Sequence, residues 1–492
     1  MKIVLETNDA DISEYYLQTL IQLYFPCETF GLSDNHGTLV AKIFKSGTLY
    51  NIYIKLSADG KCSEKYFENI ETSDFPCGIE VSKSVVGKAF LNTASELFSY
   101  VPSWGMLTGI RPAKTAAKLL EKGYDKKDVS ELLSKYYMVN ESKASLALNI
   151  AEKEIGLSQY KRDDFCSLYI GIPFCPSKCG YCSFVSCSTK GLFKLIPQYI
   201  EKLKTEILSA ANIIKNHNLK LKTIYIGGGT PTILDEKLIE DLMGFIYKNL
   251  DFSNLLEYTY ESGRPDTVTF EKLMTVKRYG AGRISVNTQT SNDEILAHIG
   301  RNHTFEDYKK AMDTARKVGF RSINTDLIAG LPGESVESFK KSVRDVMSFF
   351  PENITVHSFS VKKSSRYRHE ENILNSEYAE KTRQMIDFSQ ETLLNSKYLP
   401  YYIYRQKNTA GNLENVGFCL CKTGYPSEGL YNIFMMEDMH TVLSCGAGSV
   451  TKLVRNGKVE RIFNPKYPYE YLSFEDKIVS SAKAINSFYN NF

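Results

Sequence analysis

The chain has 492 residues, of which 43% are hydrophobic, and a formal net charge of +3 at pH 7. This length allows roughly two to four domains of ordinary size, and so small a positive excess gives no sign of a nucleic-acid-binding protein. The sequence lacks an apolar run of the roughly 18 residues that a membrane-spanning helix needs, and its first residues lack the layout of a secretion signal. We therefore expect a cytoplasmic protein.

The first 160 residues predict a separate accessory domain. Residues 37–55 contain two extended runs around a Ser-Gly turn, which predicts a β-hairpin. Residues 111–156 have apolar residues at helical spacing and predict two or three amphipathic helices, with Pro112 near the start of the first. We find no ligand cluster or phosphate-binding loop here. We therefore interpret residues 1–160 as an α+β domain that packs against or gates the rest.

Residues 165–365 alternate between strand-like and helix-like stretches. Six apolar or β-branched runs are separated by helical patterns, and they lie at 167–174, 221–229, 256–262, 283–289, 321–330 and 354–361. Successive βα units of this kind predict an α/β fold, a parallel sheet that curves into a partial (β/α)6 barrel. In such barrels the functional residues lie at the carboxyl ends of the strands.

Three cysteines follow the first predicted strand within eight residues, Cys175, Cys179 and Cys182, in a CxxxCxxC spacing. In a reducing compartment such a cluster indicates metal binding or redox chemistry. Structural zinc normally takes four protein ligands, and no second Cys or His pair follows at a suitable spacing. Three thiolates instead suit a [4Fe–4S] cluster whose fourth iron is left open for an exchangeable ligand.

Polar residues follow the ends of the later strands. The second strand ends in Gly227-Gly228-Gly229-Thr230-Pro231, where glycines let a ligand approach the backbone closely. At or just past the ends of the next strands lie Glu261, Gln289, Arg301 and Asp326. Barrel geometry predicts that these side chains converge on one mouth.

Residues 366–492 predict a C-terminal α+β region that covers the substrate. A polar stretch is followed by a helical pattern over 379–396 and then by segments dense in Tyr, Asn, Gly and Arg. Arg405 and Lys407 are candidate anchors for carboxylates. The late cysteines Cys419, Cys421 and Cys445 have no accompanying motif, so we interpret them as ordinary buried residues and leave their role open.

The cysteine spacing is similar to the signature of the radical S-adenosylmethionine (radical SAM) enzymes. The order of motifs over residues 165–365 resembles the oxygen-independent coproporphyrinogen III oxidase family (HemN-like). The long N-terminal extension and the tail YYIYRQKNTAGNLENVGF resemble its HemZ branch most closely. Two features depart from the family pattern: Gly171 stands where a histidine is common, and CSFVSC replaces a CGC-type continuation. These departures bear on the identity of the substrate, not on the radical chemistry.

The resemblance implies a set of site residues. Cys175, Cys179 and Cys182 would hold a [4Fe–4S] cluster whose open iron binds S-adenosyl-L-methionine (SAM). Tyr169, Gly228, Gly229, Thr230 and Glu261 would contact that SAM molecule. A second SAM molecule would be lined by Tyr181, Gln289, Arg301, Asp326 and Ser360.

The resemblance also implies an oxidoreductase of porphyrin and haem biosynthesis, which converts coproporphyrinogen III propionates to vinyl groups without oxygen. In that family a 5′-deoxyadenosyl radical takes a hydrogen atom from the carbon β to the pyrrole ring. The expected partners are a tetrapyrrole substrate and an electron donor such as flavodoxin or ferredoxin, and we expect a monomer. Two alternatives stay open: radical methyl transfer to a tetrapyrrole, and haem binding and delivery, with Cys445, His440 or His357 as candidate axial ligands.

Overall fold

The computed structural model describes residues 1–26, 28–31, 36–182, 188–362, 365–369, 376–420 and 427–491. The chain forms two compact units. The first consists of Met1–Ile155, a segment ending at Arg383, and Ile403–Glu414, and the second contains Gly156–Glu370, Gln384–Tyr402 and Asn415–Phe492. The domain boundaries proposed from the sequence, 1–160, 165–365 and 366–492, stay predictions. Among the described residues, every helix falls short of the length or the hydropathy that crossing a bilayer requires.

The first unit contains a four-stranded sheet. Its strands are β1 (Lys2–Thr7), β2 (Thr38–Ser46), β3 (Leu49–Ala58) and β4 (Lys61–Glu71), hydrogen-bonded in that order. β1 runs parallel to β2, and the other pairs are antiparallel. β3 alternates buried and more accessible residues because only one face of the sheet is covered. The hairpin predicted over 37–55 is confirmed as β2 and β3.

Five helices complete the first unit. They are α1 (Glu14–Ile21), α2 (Val81–Phe98), α3 (Ala113–Glu121), α4 (Lys126–Tyr137) and α5 (Glu141–Gly156). α2 packs on β3 and β4. Asp125 caps the start of α4, and its side chain accepts the backbone N–H of Asp128. The prediction of helices over 111–156 is confirmed by α3, α4 and α5.

Six parallel strands form the centre of the second unit. They are β5 (Phe165–Ile172), β6 (Lys220–Gly228), β7 (Glu257–Gly263), β8 (Arg283–Val286), β9 (Ser322–Ala329) and β10 (Asn353–Ser358). Each pairs in parallel with the next. They are almost wholly buried, as expected for a parallel sheet covered by helices. All six strands predicted from the sequence are therefore confirmed.

Helices connect these strands. They are α6 (Lys190–Phe193), α7 (Ile196–Asn216), α8 (Glu236–Asn249), α9 (Phe270–Arg278), α10 (Asp293–His298), α11 (Phe305–Val318) and α12 (Val336–Met347). Several of these helices are capped by a residue whose side chain accepts a backbone N–H of the first turn. Asp235, Thr269 and Ser335 are such residues. Thr304 and Asp307 form a reciprocal capping box at the start of α11.

The C-terminal region extends the sheet at both edges of the six-stranded core. Its elements are α13 (Ser376–Asn395), β11 (Tyr398–Arg405), β12 (Glu414–Leu420), α14 (Leu430–Met436), β13 (Thr441–Cys445), β14 (Val450–Arg455), β15 (Lys458–Phe463), α15 (Pro468–Ser473) and α16 (Lys477–Asn490). The full order is β11-β12-β10-β9-β8-β7-β6-β5-β13-β14-β15. β12 is antiparallel to β10, and β13 is parallel to β5. The sheet is not closed, which confirms the predicted partial barrel.

Candidate functional site

Five strands of the core each carry a partly accessible side chain within a run of buried residues. These residues are Tyr169 on β5, Tyr225 on β6, Glu261 on β7, Asp326 on β9 and His357 on β10. Tyr169 lies directly opposite Tyr225 in the sheet register. Neighbouring residues of parallel strands in register share one face, so these side chains line one accessible region towards the carboxyl ends of the strands.

Glu261 is held in surroundings that disfavour its charge. Desolvation raises the pKa of Glu261 to about 7, and the nearby carboxylate of Asp326 adds to the shift, although the Tyr225 hydroxyl donates a hydrogen bond to Glu261 and opposes it. Among the described residues, no lysine or arginine forms an ion pair with Glu261. An incoming cation would therefore stabilise its ionised form, which fits the predicted contact with SAM, a sulfonium cation.

Asp326 behaves in the opposite way. Desolvation acts to raise its pKa, but His357 and Asn324 outweigh this effect and hold the pKa of Asp326 below its usual value. His357 Nε2 lies 3.7 Å from Asp326 Oδ2, and Asn324 Nδ2 donates to Asp326 Oδ1 at 2.8 Å. The site thus contains one carboxyl group that stays ionised and one that titrates near neutrality.

Three tyrosine rings stack beside Glu261. The centroids of Tyr225 and Tyr431 are 4.5 Å apart, and Tyr169 lies 6.2 Å from each of them. Tyr431 belongs to α14, whose first backbone N–H groups donate to the buried carboxylate of Glu257. The C-terminal region therefore supplies one wall of the site.

The loop that carries the three cysteines is fixed by hydrogen bonds to the turn after α10. Gly180 N donates to Ile299 O at 2.8 Å, and Ser177 Oγ donates to Gly300 O at 2.9 Å. Arg264 Nη1 donates to Ser177 Oγ at 2.8 Å. The loop thus has a defined position above the carboxyl end of β5.

Cys175, Cys179 and Cys182 are all partly accessible. Thr230 Oγ1 lies 3.4 Å from Cys175 Sγ. Desolvation opposes the charge of Arg301, yet the facing Tyr181 and Cys179 outweigh it and raise the pKa of Arg301. Among the described residues, no three Cys, His, Asp or Glu side chains are gathered as a metal coordination group. The donor set nevertheless fits a thiolate-bound cluster, because a guanidinium beside the loop offsets negative charge.

Two residues of the predicted second SAM site, Gln289 and Asp326, are joined directly through their backbones. Gln289 has φ of 76°, and its backbone N–H donates to Asp326 O at 3.0 Å. Gln289 Oε1 and Arg301 Nε are buried without a hydrogen-bond partner among the described residues, as expected for atoms that await a ligand. Ser360 is buried two residues beyond β10. The assigned roles of all these residues stay predictions.

The glycines at the end of β6 bring the backbone close to the cysteine loop. Gly228 has φ of 107°, which favours glycine. Gly229 N donates to Ile172 O, and Thr230 N donates to Phe174 O, each at 2.8 Å. A Cβ atom on Gly229 would lie 2.5 Å from Phe174 O. The GGGT segment therefore sets the position of the residues that lead into the cysteine loop.

We expect Gly229→Ala to destabilise this connection, because the added methyl group would overlap the backbone of Phe174. The free energy of unfolding should fall by about 1–3 kcal/mol, the usual cost of overpacking, and reconstituted iron content should fall with it. Denaturant unfolding and iron analysis measure both quantities. Gly156→Ala is the matched control, because nothing lies within 4 Å of the added atom. Equal stability of the two variants would contradict the prediction.

The late cysteines do not share one location in the sheet. Cys419 on β12 pairs with Asn353, and Cys445 on β13 pairs with Ile170, so six strands separate them in the sheet order. Cys421 lies outside the described residues. His440 is buried between Ser167 Oγ at 2.8 Å and Tyr160 O at 3.1 Å, and burial lowers the pKa of His440 to about 4. Cys445 and His440 are therefore packed core residues.

Sequence reasoning missed two aromatic residues of the site. Tyr225 precedes Gly227 by two positions, so the period-2 alternation of a strand could have placed it on the same face. Tyr431 gave no comparable signal, because α14 reaches the barrel through non-local contacts. His357 was considered only as a haem ligand, whereas the structure pairs it with Asp326.

The chain is similar to several known proteins. The model of the radical SAM superfamily matches residues 169–346. The oxygen-independent coproporphyrinogen-III oxidase-like protein HemZ of Bacillus subtilis (strain 168) is 36% identical over 394 residues, 79% of this chain and 78% of that protein. The heme chaperone HemW of Escherichia coli (strain K12) is 27% identical over 334 residues, 66% of this chain and 82% of that protein. The structure of coproporphyrinogen III oxidase (HemN) from Escherichia coli has a TM-score of 0.49 at 20% identity, covering 66% of this chain and 72% of that one.

The open parallel barrel and the cysteine loop at its mouth are those of a radical SAM protein. Within that superfamily the chain belongs to the HemN/HemZ-like family. The family resemblance predicted from the motifs is thereby confirmed. Membership of the superfamily implies a [4Fe–4S] cluster and SAM as cofactors.

Proposed function

We propose that the protein decarboxylates propionate side chains of coproporphyrinogen III oxidatively to vinyl groups without oxygen, giving protoporphyrinogen IX. The similarity to HemZ over 79% of the chain is the observation that carries the proposal. Each propionate that reacts would lose one hydrogen atom to the 5′-deoxyadenosyl radical, one molecule of carbon dioxide, and one electron to a one-electron acceptor. A flavodoxin or ferredoxin would reduce the protein, and we expect it to act as a monomer.

In this proposal the residues at the barrel mouth bind and orient the cofactors. Cys175, Cys179 and Cys182 hold the cluster, which together with SAM supplies an organic radical that can abstract a hydrogen atom. Glu261 accepts a hydrogen bond from the bound SAM molecule. The backbone at Gly228 and Gly229 would contact the same ligand.

The second SAM molecule is part of the same proposal. Its lining would be Tyr181, Gln289, Arg301, Asp326 and Ser360. The unpartnered atoms Gln289 Oε1 and Arg301 Nε support this assignment, because buried polar atoms normally have partners. Arg301 would attract a carboxylate, and Asp326, whose pKa is held low by His357, would attract a cation.

Anaerobic turnover tests the proposed reaction. The protein is reconstituted with iron and sulfide, reduced with dithionite, and given SAM and coproporphyrinogen III. We expect vinyl-containing products and 5′-deoxyadenosine, and neither product class in a control without SAM. S-adenosylhomocysteine with a methylated tetrapyrrole would instead indicate methyl transfer and would contradict the proposal.

Haem delivery is the second candidate function, and the similarity to HemW over 82% of that protein favours it. Two of its three candidate axial ligands, Cys445 and His440, are packed in the core, which leaves the partly accessible His357. Stoichiometric haem uptake that His357→Ala abolishes, without any turnover of coproporphyrinogen III, would favour delivery over decarboxylation.

A further inference from the structure

The first unit contains a cavity of about 710 Å³, and the function proposed above assigns no role to the residues that line it. All of its lining residues belong to this unit. Its walls come from residues 10–26, which include α1, from residues 106–118, which lead into and form the start of α3, and from residues 405–412. Its volume is typical of pockets that hold a cofactor-sized molecule.

The lining of this cavity is basic. Six lining residues are lysine or arginine and two are acidic. The basic residues are Lys83, Arg111, Lys114, Lys118, Arg405 and Lys407. One acidic residue, Glu80, is already paired with Lys83 at 3.2 Å, and the other is Asp11. The excess positive charge therefore lies near the start of α3 and residues 405–407, which favours an anionic ligand.

Arg405 is a buried cation whose guanidinium carbon lies 6.0 Å from the centre of the Trp104 ring, a contact that satisfies none of its N–H donors. Only 3% of the residue is exposed, and none of its three guanidinium nitrogens has a hydrogen-bond partner among the described residues. Five donors in a buried guanidinium are normally satisfied, because an unpaired buried charge is strongly destabilising. Desolvation lowers the pKa of Arg405 to about 10, as expected for a buried guanidinium that lacks hydrogen-bond partners.

The carboxylate of Glu414, which acts on the pKa of Arg405, is already engaged by other groups. Glu414 Oε2 accepts from Trp104 Nε1 at 2.7 Å, and Glu414 Oε1 lies 2.8 Å from Lys143 Nζ. Lys143 and Glu414 are both fully buried. An anion at Arg405 would supply the hydrogen-bond partner that its guanidinium lacks among the described residues.

The start of α3 provides a second position for an anion in the same cavity. Pro112 precedes the helix, its first turn has no capping side chain, and no acidic residue lies there. Lys114 and Lys118 are exposed on this helix, and the positive end of a helix attracts anions through its free N–H groups. Arg405 N donates to Ile110 O at 2.8 Å, so Arg405 lies beside the segment that leads into α3.

We propose that this cavity binds a small organic polyanion, with one phosphate or carboxylate group at the Arg405 guanidinium and a second at the start of α3 beside Lys114. Tyr15, Tyr16 and Ile110 also line the cavity and would contact the organic body of the ligand. This site is independent of the decarboxylation proposed above, since it requires neither the cluster nor SAM.

Two probes distinguish the possible sources of the anionic groups. Inorganic pyrophosphate represents a phosphate ligand, and coproporphyrin III, the oxidised tetracarboxylate, represents a carboxylate ligand. We expect at least one of them to bind the full chain in calorimetry and to raise its unfolding temperature. Binding of pyrophosphate alone would identify a phosphate ligand, and binding of coproporphyrin III alone would identify a polycarboxylate. Either result supports the site if it depends on Arg405.

Arg405→Met should lower the affinity for the probe at least about tenfold, the usual effect of losing hydrogen bonds to a charged group. Lys114→Gln, an exposed substitution, should weaken it less, and Lys127→Gln on α4, which is not part of the lining, should have no effect. Without a probe, Arg405→Met should unfold at the same or a higher temperature, because it removes an unpaired buried charge. Unchanged binding in Arg405→Met, or no binding of either probe to the wild type, would overturn the proposal.

Discussion

Replacing Cys179 by alanine is expected to abolish the iron–sulfur cluster and all SAM-dependent chemistry. A cluster with one open iron depends on each of its three thiolates, and no other cysteine occupies the loop between Cys175 and Cys182. We expect the anaerobically reconstituted variant to be colourless and to contain almost no iron or acid-labile sulfide. Iron analysis and the visible absorption spectrum measure this loss, and product analysis should show no 5′-deoxyadenosine.

Cys419→Ala is the matched control for this prediction. Cys419 is buried on β12, where its backbone pairs with Asn353, so its replacement should cost some stability but leave the cluster intact. Retention of iron in Cys179→Ala would contradict the cluster assignment. Loss of iron in Cys419→Ala would show that a late cysteine takes part in metal binding.

The six core strands were predictable because each is a short apolar run between helical patterns. Residues 221–229, for example, end in three glycines and correspond to β6 (Lys220–Gly228). The additions at the sheet edges were not predictable. Pairing of β13 with β5 joins residues 275 positions apart in the sequence, and local periodicity contains no information about such partners.

The locations of single side chains were also predictable only in part. Glu261 and Asp326 could be placed at the barrel mouth because each occupies an inward position near the carboxyl end of its strand. Arg405 and Lys407 were expected to anchor substrate carboxylates. That role stays a prediction, and the structure places both residues in the lining of the first-unit cavity, since the chain returns to that unit over Ile403–Glu414. Composition identified these cations, but only the tertiary fold could assign them to a cavity.

Two carboxyl groups of the site have pKa values that move in opposite directions for a clear physical reason. For Asp326 the interactions with His357 and Asn324 outweigh desolvation, whereas for Glu261 desolvation and the repulsion of Asp326 outweigh the Tyr225 hydroxyl, the Gly228 backbone and His357. Near neutral pH, a site built in this way keeps the negative charge of Asp326. It gains the second charge when a cation arrives.

Glu261→Gln should therefore weaken SAM binding by about tenfold or more, the effect expected from losing a charge-assisted hydrogen bond. Binding to the wild type should also depend on pH. The pKa of Glu261 is raised to about 7, so the group is protonated and neutral below that value and ionised above it. Because a cation binds only the ionised form well, the affinity should fall as the pH decreases through about 7.

Equilibrium binding of SAM to the anaerobically reconstituted protein, measured at several pH values, tests both parts of this prediction. In Glu261→Gln the fall in affinity on the acid side should disappear, because an amide does not titrate in this range. Glu271→Gln, at an exposed position on α9, should retain the wild-type affinity and pH profile. If Glu261→Gln bound SAM as tightly as the wild type and kept the same pH dependence, another group would have to offset the positive charge of SAM. The pKa of Glu261 would then reflect desolvation alone, without a role in holding the cofactor.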